Sequence, residues 1–318
     1  MAKGNWDRFR EAFGEIQENI ERVIQGKPDE VRLALVALVA EGHLLIEDVP
    51  GVGKTMLAKS LARSIDCSFR RIQFTPDLLP TDITGVNVYN QDQRDFEFRP
   101  GAIFANIVLG DEINRASPKT QSALLESMEE RQVTVDGVTY ELGVPFMVLA
   151  TQNPIEHEGT YALPEAQVDR FMIRLALGYP GPEAEAQILE THGQGSALLE
   201  IGPVTDSAGV AALIEIARGV HVSDGIRRYV VEIAEATRSH PDIYLGASPR
   251  ASLMLLRAAR ALAASEARDF VLPDDVKALV APVLTHRLIV SADAAMGGHT
   301  GESLLASLLD EVPVPVKG

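Results

Sequence analysis

A glycine-rich turn at residues 48–55 carries the residue types best suited to chemistry. Its sequence, DVPGVGKT, follows the apolar run His43–Glu47 and leads directly into an amphipathic stretch. A turn of this kind directs successive backbone N–H groups into one concavity, where the next helix adds the positive end of its dipole. Lys54 can reach a β- or γ-phosphate, and the Thr55 hydroxyl can ligate magnesium. The stretch therefore predicts a phosphate-binding loop between a strand and a helix.

This loop supplies most of the predicted nucleotide contacts, which are Pro50, Gly51, Val52, Gly53, Lys54, Thr55 and Met56. It departs at one position from the pattern G-x-x-x-x-G-K-[ST], because Asp48 stands where the first glycine belongs. A tight turn with an incidental Lys-Thr pair is the alternative interpretation. The strand before the loop and the helix after it favour the phosphate site.

Two acidic residues, Asp111 and Glu112, end the buried apolar run 105–110. The carboxyl ends of parallel strands meet at one edge of a sheet, so both acids are expected beside the phosphate loop. There Asp111 would hold a magnesium ion through water, and Glu112 would polarise the attacking water. A solvated turn is the alternative, which the phosphate loop makes the less favoured.

Three further polar residues are candidates for the same site. Asn153 ends a neighbouring strand, where its amide can bond a phosphate or the water, although Asn-Pro is also a turn former. Arg170 suits an arginine finger, with a surface ion pair as an equal alternative. Arg250 falls in the first turn of a helix, where a cation opposes the helix dipole by about 0.3–1 kcal/mol. A phosphate would offset that cost, and simple tolerance of a small penalty is the alternative.

The elements that position these residues alternate strand and helix as far as residue 180. This alternation predicts an α/β fold with a parallel sheet covered on both faces. Polar tips between alternating segments predict hairpins inserted near 86–98 and 132–141. Beyond a Tyr-Pro-Gly-Pro segment the signals are helical throughout. We expect a nucleotide-binding domain over 1–180, with an N-terminal helix, and a smaller helical domain over 183–318.

Composition narrows the function classes further. The net charge of −16 opposes non-specific nucleic-acid binding, which depends on Lys and Arg neutralising phosphates. No apolar run approaches the roughly 18–20 residues of a membrane helix, and the longest is Leu33–Ala40. A single cysteine, Cys67, excludes a disulfide framework, and the acidic amphipathic N-terminus is no targeting signal. A cytoplasmic location is therefore expected.

With these residues located, the chain resembles the MoxR family of AAA+ ATPases. The motifs occur in the family's order and cover nearly the whole chain. They are EDVPGVGKT (47–55), GDEINR (110–115), PKTQSALLESMEE (118–130), ATQNP (150–154), LPEAQVDRF (163–171) and SPRA (248–251).

The resemblance implies a P-loop αβα sandwich followed by a helical lid. It also implies ATP and Mg²⁺ bound between the subunits of a homo-oligomeric ring, most often a hexamer. The implied roles are Walker B acids for Asp111 and Glu112, sensor 1 for Asn153, arginine finger for Arg170, sensor 2 for Arg250, and adenine framing for Ile24 and Gly26. If Arg170 is not the finger, Arg115 is the next candidate.

MoxR-like proteins act as chaperone-like ATPases that mature or insert metal cofactors in client enzymes, often with a partner that carries a von Willebrand factor A domain. We therefore expect a magnesium-dependent ATPase that remodels a protein client. A nucleic-acid motor is disfavoured because hairpin 86–98 carries only Arg94 against three acids. A transcription-activating ATPase would need a G-A-F-T-G-A loop, which the sequence lacks. A passive nucleotide switch is opposed by Glu112 and Arg170.

Overall fold

The computed structural model describes residues 3–153, 160–192 and 197–315. Its strands are β1 Leu44–Glu47, β2 Phe69–Gln73, β3 Gly85–Asn90, β4 Asp95–Pro100, β5 Ile107–Asp111, β6 Gln132–Val135, β7 Val138–Glu141, β8 Met147–Gln152, β9 Ile173–Leu175, β10 Ile243–Leu245 and β11 Ile289–Val290.

The helices of the first part are α1 Lys3–Glu21, α2 Pro28–Val39, α3 Lys54–Ser64, α4 Pro80–Thr84, α5 Pro118–Glu130 and α6 Glu165–Val168. Those of the second part are α7 Pro182–His192, α8 Ala197–Glu200, α9 Ser207–Arg218, α10 Asp224–Ser239, α11 Pro249–Ser265, α12 Pro273–Leu284, α13 Ala292–Met296 and α14 Gly301–Glu311.

Five parallel strands form the central sheet in the order β2-β5-β8-β1-β9. The strands β5 and β8 are buried along almost their whole length, which explains why they read as unbroken apolar runs. Because all five strands run the same way, the segments after β1, β5 and β8 leave the sheet at one edge. The predicted parallel α/β sheet followed by a helical lid is confirmed.

Helices cover both faces of the sheet. On one face a continuous apolar core joins Phe9 of α1 and Leu57 of α3 to Leu255 of the helical part. On the other face a second core contains Ile83 of α4 and Leu124 of α5. The helical part therefore packs directly on the sheet side that carries the helix after the phosphate loop.

Two antiparallel hairpins project from this framework, at 85–100 and at 132–141. They contact each other through a stack of Phe98 on Tyr140, whose ring centroids are 3.9 Å apart. The outer part of the first hairpin carries an exposed edge-to-face pair, Tyr89 and Phe96. The hairpins are therefore joined at their base and free at the tip of the first.

The C-terminal part is helical as predicted, with one addition. The short strands β10 and β11 pair antiparallel, and Ile243 of β10 packs against Leu304 and Leu308 of α14. A second feature not given by the strand and hairpin patterns is the short helix α4, which forms in the proline-rich stretch before the first hairpin. Asp82 caps this short helix by accepting the Leu79 backbone N–H at 2.9 Å.

Across the described ranges, no helix combines the length and apolarity that crossing a bilayer requires. The sheet ends with β9 at Leu175, and α7 begins at Pro182. The domain boundary near residue 180 stays a prediction.

Candidate functional site

The phosphate loop between β1 and α3 is shaped by two glycines. Gly51 and Gly53 have φ angles of +87° and +100°, which residues with a Cβ rarely adopt. They turn the chain so that α3 begins at Lys54, beside a cavity of about 370 Å³. The residues lining this cavity are Pro50, Gly51, Gly53, Lys54, Thr55, Met56, Arg71, Asp111, Glu112, Thr151 and Asn153.

Asp48, at the position of the missing glycine, has a structural role in the loop. Its φ is not in the left-handed region, so the position does not require glycine. The residue is 8% exposed, and its carboxylate accepts the backbone N–H groups of Val49 at 2.8 Å and Gly178 at 2.7 Å. The carboxylate therefore ties the loop to the segment that follows β9.

Lys54 lines this cavity. It donates a hydrogen bond to the Asp48 carbonyl oxygen at 2.5 Å. Burial lowers the pKa of Lys54, while the nearby carboxylates of Asp48, Asp111 and Glu112 oppose that shift. The three acids therefore favour the protonated form of the lysine, which is the form that attracts a phosphate.

Asp111 is held at the end of β5 by neighbours on both sides. Arg71 of β2 forms an ion pair with it at 2.5 Å, and the Thr151 hydroxyl of β8 donates to it at 2.6 Å. The register of the sheet sets β2 and β8 on either side of β5. These contacts fix the direction of the carboxylate into the cavity.

Glu112 adopts a left-handed conformation with φ of +58°. Its backbone N–H donates to the Thr151 hydroxyl at 2.9 Å, and its carboxylate accepts from Gln73 at 2.8 Å and Arg115 at 3.0 Å. Non-glycine residues in this left-handed region cluster at functional sites.

Arg115 is the alternative arginine finger. Because it donates a hydrogen bond to Glu112, it is engaged with an acid of its own chain.

The oxygen atoms around this cavity suit magnesium. Thr55 offers a hydroxyl and Asp111 a carboxylate, and both line the same space. Magnesium prefers such oxygen ligands and binds through one or two carboxylates plus substrate phosphates. The residues present therefore fit the ion.

Asn153 and the predicted adenine-framing residues lie around the same loop. Asn153 lines the cavity and is 9% exposed. Ile24 lies beside the loop, because its Cδ1 is 3.9 Å from where a Cβ on Gly53 would be. A Cβ on Gly26 would come within 2.9 Å of Ala184 Cβ, so this turn packs closely on α7. Neither Ile24 nor Gly26 is among the described residues that line the cavity.

Arg170 and Arg250 lie together in a different place. Both pair with the Glu129 carboxylate of α5, Arg170 through Nε at 3.2 Å. They line a second cavity of about 340 Å³. Within the part of the chain that the structure describes, neither arginine lines the phosphate-loop cavity. The two predicted catalytic arginines therefore line one cavity, and Asp111 and Glu112 of the same chain line another.

Comparison with known proteins follows this geometry. A family profile described as "ATPase family associated with various cellular activities (AAA)" matches residues 43–173, and one for the AAA lid domain matches residues 235–308. The uncharacterised protein YeaC of Bacillus subtilis is 50% identical over 96% of this chain and 95% of its own length. Chaperone MoxR1 of Mycobacterium tuberculosis is 43% identical, covering 93% of this chain and 80% of its own. Protein MoxR of Paracoccus denitrificans is 32% identical, covering 97% and 96%. The chain belongs to the MoxR family of AAA+ ATPases.

A solved structure extends the agreement from sequence to fold. A crystal structure of a protein from Cytophaga hutchinsonii matches this MoxR-family chain with a TM-score of 0.92 and 37% identity. The match covers 99% of this chain and 98% of the other. The MoxR-family resemblance seen in the motifs is confirmed.

Several residues of this MoxR-family site were not anticipated from the sequence. Arg71 and Gln73 on β2 contact Asp111 and Glu112, respectively, and Thr151 on β8 bonds to both acids. Glu129 forms ion pairs with both arginines of the second cavity. Side chains alternate along a strand, so the sequence predicts that Arg71 and Gln73 lie on the same side of β2. It did not show that this side faces the acids.

Proposed function

We propose that this MoxR-family chain hydrolyses ATP with magnesium at sites shared between the subunits of a ring, most simply a hexamer. One observation carries the proposal. The phosphate loop, Asp111, Glu112 and Asn153 line one cavity, while Arg170 and Arg250 line another. Phosphoryl transfer needs positive charge beyond the metal at the transferring phosphate, and the arginine described in the phosphate-loop cavity, Arg71, is already paired with Asp111. A neighbouring subunit can supply it through these two arginines.

The residues divide the work between two subunits. Lys54 and the backbone N–H groups of the loop bind the phosphates, and Thr55 and Asp111 would hold the magnesium. The bound ion would supply positive charge that neutralises the phosphate oxygens. Glu112 would accept a proton from the attacking water, and Asn153 would orient that water. From the adjacent subunit, Arg170 and Arg250 would stabilise the charge that develops in the transition state.

The first test separates binding from turnover in this assignment. Lys54→Ala should lose nucleotide binding, because the charge that meets the phosphates is gone. Glu112→Gln should keep binding and lose turnover, because an amide cannot take the proton. Binding of a fluorescent ATP analogue and steady-state ATPase rates measure the two effects. Equal loss of binding in both variants would contradict the assignment of roles.

The second test asks whether the arginines act on a neighbour. Arg170→Ala should be inactive alone and should regain activity when mixed with Lys54→Ala, since some interfaces then combine two intact halves. Mixing Arg170→Ala with Arg250→Ala gives a matched control in which every interface lacks one arginine. Normal turnover by Arg170→Ala alone would refute the shared site and make Arg115 the next candidate.

We further propose that the ring acts as a chaperone on a protein client in the cytoplasm. The exposed Tyr89 and Phe96 lie on the first hairpin among Asp92, Asp95 and Glu97, a combination suited to a polypeptide rather than a phosphate backbone. The relative MoxR1 is named a chaperone. Family likeness adds maturation of metal cofactors and an adaptor with a von Willebrand factor A domain, which is an argument by analogy.

The alternative is a nucleic-acid motor or a transcription-regulating ATPase, and a binding measurement distinguishes it. The ATP-loaded Glu112→Gln protein should not bind duplex or single-stranded DNA at low salt, because the chain is strongly acidic. It should retain polypeptide through the Tyr89–Phe96 tip, and the Tyr89→Ser/Phe96→Ser variant should lose that retention. Sub-micromolar DNA binding that weakens steeply with salt would reverse the choice of substrate class.

A further inference from the structure

Arg287, in the turn after α12, is 6% exposed and grips the chain around Arg170. Its Nε donates to the Asp169 carboxylate at 2.7 Å, and its Nη2 donates to the Asp169 carbonyl oxygen at 3.1 Å. Other N–H groups of the same guanidinium donate to the carbonyl oxygens of Phe171 and Met172. The residues on both sides of Arg170 are therefore bound by one buried side chain.

The Asp169 carboxylate that Arg287 binds also binds the start of α11. The Ser248 hydroxyl donates to its two oxygens at 3.1 and 2.9 Å. The same hydroxyl caps α11 by accepting the Ala251 backbone N–H at 3.1 Å. Arg250 lies two residues after Ser248, in the first turn of that helix. Asp169 thus joins the segment of Arg170 to the helical turn of Arg250.

We propose that Arg287 is a positioning residue that sets the spacing of Arg170 and Arg250, so that both reach the ATP of the neighbouring subunit together. This inference rests on the shared site proposed above. Arg287 itself is buried, and its hydrogen-bond partners in the described part of the chain include neither a phosphate-loop residue nor Glu129. We therefore expect it to affect turnover through the two segments that it fastens.

Arginine is the side chain that this position requires. Its planar guanidinium presents five donors in a fixed fork, which lets one residue bind a carboxylate and several carbonyl oxygens at once. The single ammonium of a lysine cannot reach the same set of acceptors. Arg287→Lys keeps the charge but releases part of the segment around Arg170. A misplacement of about 1 Å in a charge-stabilising group lowers turnover by roughly 100-fold.

The test uses the full-length chain with two variants and a matched control. Arg287→Lys and the isosteric Asp169→Asn should both lower kcat, Arg287→Lys by roughly 100-fold, with the Kd for ATP unchanged. Arg268→Lys is the control, because Arg268 forms an ion pair with Asp275 at 2.5 Å elsewhere in the helical part. It should lower the melting temperature and leave kcat unchanged.

Mixed rings give the readout that a purely structural role would not move. Arg287→Lys subunits have an intact phosphate site, and Lys54→Ala subunits have intact arginines, so their mixture should recover turnover. A mixture of Arg287→Lys with Arg170→Ala should not recover, because every subunit then lacks a competent arginine pair. The Asp169→Asn variant should behave as Arg287→Lys does in both mixtures.

The outcomes distinguish this inference from the proposal beneath it. Normal turnover by Arg287→Lys, with Arg170→Ala inactive, would overturn the role of Arg287 and leave the shared site standing. Normal turnover by Arg170→Ala would overturn the shared site itself. Failure of Lys54→Ala to rescue Arg287→Lys would mean that the defect lies in the variant's own site, and the inference would be wrong. If Arg287→Lys does not fold, Asp169→Asn in the same mixtures decides the question.

Discussion

Replacing Asp48 by glycine restores the usual phosphate-loop pattern, and we expect this substitution to lower the stability of the folded protein. Asp48 is 8% exposed, and its carboxylate accepts two backbone N–H groups, from Val49 at 2.8 Å and from Gly178 at 2.7 Å. A glycine would leave both donors without this acceptor and would add backbone freedom to a loop that already contains Gly51 and Gly53. Glycine, the usual residue of the pattern, is therefore expected to be less stabilising than aspartate at position 48 of this chain.

The size of the loss follows from these two bonds. A hydrogen bond to a charged acceptor contributes about 1.5–3 kcal/mol, and the bond between adjacent residues lies at or below the low end of that range. The extra backbone entropy of glycine adds about 0.5–1 kcal/mol. Burial of the carboxylate offsets part of the gain, so we expect Asp48→Gly to lower the free energy of unfolding by about 2–4 kcal/mol. Because the entropy of unfolding grows with chain length, this loss should lower the melting temperature of a chain of 318 residues by roughly 3–6 °C.

Thermal unfolding without nucleotide, followed by circular dichroism, measures this loss. Asp48→Asn is the matched control, because its amide oxygen can still accept one of the two N–H groups. Its melting temperature should lie between those of the wild type and Asp48→Gly. Asp48→Asn should also bind ATP at least as tightly as the wild type, since one negative charge beside Lys54 is removed. A melting temperature of Asp48→Gly within about 1 °C of the wild type would refute the reasoning.

Two further predictions concern stability away from the phosphate loop. His43 is buried, and burial lowers its pKa to about 4. Below pH 6.5 its side chain is therefore protonated in the unfolded chain but stays neutral in the folded chain until the pH approaches 4. Between pH 6.5 and pH 4 the free energy of unfolding of the wild type should therefore fall by up to about 3 kcal/mol relative to that of His43→Gln. Urea unfolding at several pH values measures this difference, and equal pH profiles of the two proteins would contradict it. The Phe98–Tyr140 stack between the hairpins should give a coupling of about 0.5–1.5 kcal/mol in a double-mutant cycle to leucine, whereas additive effects would mean that the hairpins are independent.

Much of the fold and half of the site follow from local sequence patterns. The apolar runs before Asp48, before Asp111 and before Asn153 are each long enough for one buried strand. Parallel strands put their carboxyl ends at one edge, and this predicts that the loop and the polar residues meet. The structure lines one cavity with Lys54, Asp111, Glu112 and Asn153, as this reasoning expects.

The contacts made across elements could not be predicted in the same way. Three glutamates, at 126, 129 and 130, lie on one stretch of α5, and helical spacing alone does not say which of them faces Arg170 and Arg250. The answer depends on how the helical part packs on the sheet. The same holds for Arg287, whose partner Asp169 is 118 residues away in sequence. Long-range packing therefore decides the arginine arrangement, and local periodicity does not encode it.

The pairing of two arginines with one carboxylate has a consequence for assembly. Within the described part of the chain, Arg170 and Arg250 both pair with Glu129, so they share the single negative charge of one carboxylate. In the proposed ring, a neighbour's triphosphate would compete with Glu129 for both arginines, and a diphosphate would compete with less charge. The strength of each subunit contact would then depend on the nucleotide bound at it. Hydrolysis at one site would loosen that contact alone, so a closed ring could open at a single seam while the rest stays joined.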